Sequence, residues 1–168
     1  MFKLTSSIAA SALLFVAPAA AQAALGPDAA SCAPGAGEPA VLVNVTVFKN
    51  RAGKVRVQLY GGNPADFLAK GKWVRRVDLP VTSSGSMKVC VALPKAGNYA
   101  VAVRHDADGN GKSGMSDGGG FSRNPDISLL NLKPKYREVV IPVGPGVKPV
   151  DVILNYKQGL TVGPVKRS

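Results

Sequence analysis

The sequence has one histidine, one tryptophan and two cysteines among its 168 residues, and aromatic side chains make up only 6% of it. Each scarcity excludes something. With His105 as the only histidine, and no serine set between a strand and a helix as in a nucleophile elbow, no nucleophile and base stand in a recognisable order. Gly85-Ser86 lacks that setting too. There is no phosphate loop, and no dinucleotide fingerprint opening a helix after a strand. Cys32 and Cys90 lack the C-x-x-C spacing and the activating neighbours of a redox pair. Long apolar runs are also missing: none approaches the roughly 18 to 20 residues that a membrane helix needs.

What is present begins with an export pattern. Met1, Phe2 and Lys3 form a short positive segment, Ile8 to Ala20 an apolar run too short to span a bilayer comfortably, and Ala21, Gln22 and Ala23 a small-residue end. Residues 1–23 therefore read as a signal peptide, with the mature chain starting near Ala24 and destined for the periplasm or beyond. About 145 residues remain, enough for one domain. An oxidising compartment lets Cys32 and Cys90 persist as a disulfide, worth about 4 kcal/mol in the chain-entropy model. The competing reading is lipidation of Cys32 after Ala29, Ala30 and Ser31, although Gly26, Pro27 and Asp28 separate that site from the apolar run.

Residues 24–40 are rich in Ala, Gly and Pro and read as a flexible leader, as residues 157–168 read as a flexible tail. Between them the period is two. Val41, Val43, Val45 and Val47 share one face, as do Val55, Val57 and Leu59; Met87, Val89, Val91 and Leu93; and Tyr99, Val101 and Val103. Val139, Ile141 and Val143 repeat the pattern, then Val150, Val152, Leu154 and Tyr156, with Trp73 to Leu79 a weaker case. About seven short strands with little helix predict an all-β fold, a single β-sandwich over residues 41–156. Asn63 as N-cap with Pro64 behind it predicts one or two helical turns, and Asp126 to Leu130 another. Cys90 falls opposite Val89 and Val91, so it points outward or towards a covering segment, which the leader carrying Cys32 supplies.

His105 to Gly114 reads HDADGNGKSG. Numbered from Asp106, the loop places Asp106, Asp108 and Asn110 at positions 1, 3 and 5, Gly111 at 6, the Lys112 carbonyl at 7 and Asp117 at 12, as in a calcium loop with Asp closing it. Alternating short oxygen side chains suit one hard cation, and calcium fits them better than zinc or copper. Gly114 at position 9 brings no side-chain ligand, and Lys112 and Arg104 add positive charge. The plainer reading is that Asp, Asn and Gly make turns. His105 continues the Tyr99, Val101, Val103 face, which reads as a packed strand end, while an enzyme built on it is the remaining alternative.

Lys and Arg number 21 against 10 Asp and Glu, a formal net charge of +11. Export makes nucleic acid an unsuitable partner and an anionic cell-envelope glycan or lipid a better one, while the plainer reading is a generic solvated basic face. Basic residues gather at Lys49, Arg51, Lys54 and Arg56, and at Lys70, Lys72, Arg75 and Arg76 beside Trp73. Exposed, Trp73 with Arg75 and Arg76 would hold a sugar or an anionic polymer; buried, it is the chief aromatic of the core. Pro142 and interspersed lysines protect sheet edges, so a monomer is expected.

An early strand pair followed by Phe67, then LPKAGNYAVAVRHDADGNGK from Leu93 to Lys112, GFSRN from Gly120 to Asn124 and a closing valine-rich strand together resemble the uncharacterised bacterial secreted family called domain of unknown function 2141. The chain departs from that pattern at Gly114, where an Asp is usual, and in the short stretch SDGG. The resemblance implies export and an immunoglobulin-like or transthyretin-like sandwich, and it brings no established activity.

Overall fold

The valines of the alternating runs turn inward together. In the computed structural model, which describes residues 23–166, Val41, Val43 and Val45 of β1 (Ala40–Thr46) have no exposed surface. Nor have Val55, Val57 and Leu59 of β2 (Lys54–Tyr60). Most of the expected signal peptide, residues 1–22, lies outside the described residues. The other strands are β3 (Arg75–Pro80), β4 (Met87–Ala92), β5 (Gly97–Asp106), β6 (Gly118–Phe121), β7 (Val140–Val143), β8 (Val147–Ile153), β9 (Asn155–Gln158) and β10 (Thr161–Gly163). They form a three-stranded sheet, β4-β1-β8, and a larger one, β10-β9-β6-β5-β2-β3, with β7 paired to the start of β5. Inward faces of both sheets share one apolar cluster, which makes the fold a sandwich. Each buried valine contributes roughly 1.5–3 kcal/mol by leaving water.

Among the described residues the strands number ten where about seven were expected. The run from Val150 to Tyr156 is two strands, because the chain changes sheets at Leu154: β8 runs parallel to β1, and β9 pairs with β6. Leu154 is fully buried at that corner and donates its N–H to the Thr46 carbonyl at 3.1 Å. Part of the tail read as flexible completes β9 and supplies β10. β6, sequence GGGF, has no alternation to read; its glycines are there for proximity. A Cβ at Gly118 would overlap the Tyr156 ring, and one at Gly120 would overlap the Ile153 carbonyl. Val47 does not continue the β1 face: its φ of 63° turns the chain out of the strand, a conformation that β-branched residues rarely take.

The segment read as a flexible leader runs along β4. Leu25 exchanges backbone hydrogen bonds with Lys88 and Cys90, the Asp28 carboxylate accepts from the Ala92 N–H at 3.0 Å, and a 3-10 turn at Ala29–Cys32 brings Cys32 into a disulfide with Cys90. Cys90 is buried beneath this cover, on the face opposite Val89 and Val91.

The predicted turn after Asn63 is a 3-10 turn at Pro64–Asp66, with the Asn63 side chain accepting from the Ala65 N–H. The turn expected at Asp126 to Leu130 is not helical. Helix stands instead at α1 (Tyr136–Val139), where Glu138 accepts from the Lys135 N–H at 2.7 Å. A second, smaller apolar cluster lies on the outer face of the larger sheet, joining Tyr60, Ala100, Ala102 and Val139 to Phe67, Leu68, Trp73 and Phe121.

Candidate metal centre

Strands β5 and β6 pair antiparallel, with His105 opposite Gly118, so residues 107–117 form the loop that joins them. Three carboxylates converge there. One oxygen from each of Asp106, Asp108 and Asp117 lies within 4.8 Å of the other two. Oxygens held 2.3–2.6 Å from a single calcium ion can be up to about 5 Å apart, so one ion can touch all three.

Each carboxylate is aimed by the loop's own backbone. Asp106 Oδ2 accepts from the Gly111 N–H at 3.0 Å, Asp108 Oδ1 from Asn110, and Asp117 from the N–H groups of Ala107 and Gly114 at 3.1 and 2.9 Å. Gly109 and Gly111 supply the positive φ values, 69° and 78°, that bend the chain inward. Two atoms of the site are left over among the described residues. Arg104 Nε is buried without a partner, and Asp106, 4% exposed, has a buried Oδ1 that accepts no hydrogen bond. A buried carboxylate oxygen without a donor carries a desolvation cost that a bound cation removes.

The candidate ligands divide. Asp106, Asp108 and Asp117 are brought together. Asn110 uses its Oδ1 on the Lys112 N–H at 2.7 Å and donates its Nδ2 to Asp108, so in this geometry it braces a ligand rather than joining the set; Lys112 enters through that same N–H. Gly114 brings no side-chain ligand; its N–H orients Asp117, and the missing side chain leaves room beside Asp108 and Asp117. Ser116 donates weakly to Asp108 at 3.4 Å.

Arg104 does more than add competing charge. Its guanidinium holds the Gly111 carbonyl and Ser113 Oγ at 3.0 and 3.2 Å, and stands 3.6 Å from Asp106. Three negative charges less this one leave two, which matches a divalent ion.

The same loop does contain a G-x-S-x-G spacing at Gly114, Ser116 and Gly118, and a G-x-G-x-x-G spacing at Gly109, Gly111 and Gly114, against the expectation that the chain has neither motif. Both lie between antiparallel strands with no helix following. Among the described residues, the Ser116 hydroxyl hydrogen-bonds only to Asp108 and Asp117.

His105 sits directly beneath this loop with no exposed surface. Its Nε2 is 2.8 Å from the Ala52 carbonyl, which only accepts, so Nε2 carries the proton; Nδ1 then accepts from the Tyr156 hydroxyl at 2.7 Å. Burial raises the Tyr156 pKa to about 12, against the opposing Lys49 N–H and Arg51 charge, with Asp117 pushing the same way as burial. The neutral phenol is therefore favoured by folding: its contribution is whole below pH 10 and is lost as pH rises through 12. Urea titrations at pH 9 and pH 12 are expected to show a larger stability loss for the wild type than for Tyr156→Phe, and equal losses would contradict this linkage.

The other candidate binding residues separate. Trp73 is half-buried in the outer cluster, with the Arg76 guanidinium 5.5 Å above its ring. Arg75 donates to the Ala92 carbonyl. Arg76 and Arg56 both pair with Asp78 at 2.6 Å. Burial pulls the Asp78 carboxyl up, but those two arginines outweigh it and hold it below the ordinary carboxylate value.

The family model described as an uncharacterized protein conserved in bacteria, DUF2141, matches residues 43–151. The chain belongs to that family. No curated protein and no solved structure matches the chain significantly. The DUF2141 match includes β2 to β7, the whole 106–117 loop and Cys90, while Cys32, β9 and β10 lie beyond it. Among the described residues of this DUF2141 protein, no helix is long and apolar enough to cross a membrane.

Proposed function

We propose that this DUF2141 protein is exported as a monomeric binding module whose 106–117 loop is organised by calcium. It acts by binding rather than by chemistry. The observation that carries the reading is the orphaned Oδ1 of Asp106, nine-tenths buried beside two further carboxylates. Support for export comes from the N-terminal pattern and from a disulfide suited to an oxidising compartment. Support for a non-enzymatic role comes from His105, whose two ring nitrogens are both engaged away from solvent.

An affinity of order 0.1 to 1 mM is expected, as for extracellular calcium modules. Calorimetric titration of calcium into the mature domain should give one site, and Asp108→Ala, an exposed change, should weaken it at least tenfold. Heat indistinguishable from that of Asp108→Ala would remove the site.

A further inference from the structure

The outer face of the larger sheet carries a groove of about 620 Å³ that neither the calcium loop nor the sandwich core accounts for. Its floor includes Ala102, Gly119 and Phe121. Its walls are Met115 from the calcium loop and Leu129 and Leu132 from the connection after β6, which are 67%, 38% and 54% exposed. Apolar side chains left this open around a concavity mark a place where something apolar binds, and the volume lies in the small-molecule range.

Charge says what else the occupant carries. The charged residues lining the groove are Arg104, Lys133, Lys157 and Asp117. Asp117 is held by loop N–H groups and Arg104 by the loop carbonyl and Ser113. Lys133 and Lys157 have no carboxylate in ion-pair range among the described residues, and the Lys157 ammonium touches only the Met115 sulfur, at 3.9 Å. An apolar trough with two unneutralised ammonium groups complements one acyl chain ending in one negative charge.

Gly119 makes the same point from the backbone. Gly118 and Gly120 are glycine because the core face leaves no room, whereas a Cβ at Gly119 meets nothing closer than the Val103 carbonyl at 3.8 Å, and no positive φ requires glycine there. Packing does not demand its bareness. Strand alternation sends position 119 to the groove side, where any side chain would fill the floor.

We propose that this groove binds a fatty carboxylate, with the acyl chain on Ala102, Gly119 and Phe121 and the carboxylate between Lys133 and Lys157. The floor and the Leu129 and Leu132 wall lie outside the 106–117 loop, so the test is run in EDTA. Dodecanoate, kept below its micellar concentration, is titrated calorimetrically into the mature domain alongside dodecyltrimethylammonium, which has the same tail and opposite charge. Saturable one-to-one binding of dodecanoate is expected, with the cation at least tenfold weaker. Gly119→Leu should abolish binding, and the pair Lys133→Glu with Lys157→Glu should cost at least tenfold for dodecanoate and tighten the cation. Both lysines lie outside the core, so that variant keeps the fold if Gly119→Leu does not, as thermal melts will show. Absence of saturable dodecanoate binding, equal binding of both amphiphiles, or undiminished binding in a folded groove variant would overturn the proposal.

Discussion

Replacing Cys32 and Cys90 together by alanine is expected to lower stability by about 4 kcal/mol. The bridge spans 58 residues, and closing a loop of that length removes this much unfolded-chain entropy. In a domain of this size the melting temperature should fall by roughly 10 °C. The bridge also fixes the segment that covers β4, an edge strand of the small sheet, through Leu25 and Asp28. Without it, the β4 edge becomes available to other chains. Urea denaturation of the double variant gives the number directly, and a loss below 1 kcal/mol would mean that the leader and its bridge are ornaments of the fold.

His105→Leu is expected to cost about 2 kcal/mol although the side chain stays nearly the same size. It strips the buried Tyr156 hydroxyl, still held by the Lys49 N–H, of the acceptor for its proton, and a buried polar group left unpaired costs roughly 1–3 kcal/mol, whereas the carbonyl of the exposed Ala52 can turn to water. Calcium affinity should fall as well, because the ring fixes the strand end from which Asp106 projects. A variant of unchanged stability would show that the Tyr156–His105–Ala52 chain is not formed in solution.

Much of this architecture was legible because valine alternation is a direct imprint of a half-buried strand. Cys90 and His105 were placed on their correct faces by parity alone. What parity does not record is where a run changes sheets: Val150 to Tyr156 reads as one strand, and only the pairing of β8 with β1 and of β9 with β6 divides it at Leu154. β6 was illegible for a different reason, since glycines selected for closeness carry no hydrophobic period. In the site, Asp106, Asp108 and Asp117 were legible from spacing. The contribution of Arg104 was not, nor was the Tyr156 partner of His105, 51 residues away along the chain. The groove stayed hidden because its floor and walls come from segments that are distant in sequence.

The central claim is that calcium holds the 106–117 loop, and the most direct test is the thermal melt of disulfide-bonded residues 24–168 in EDTA and in calcium up to about 10 mM. At 10 to 100 times the dissociation constant, a ligand of the folded state adds about 1.4 to 2.7 kcal/mol. The account predicts a rise of several degrees with calcium, none with sodium at equal ionic strength, and none with calcium in Asp106→Ala. A melting temperature that ignores calcium, or one that rises equally in Asp106→Ala, would contradict it.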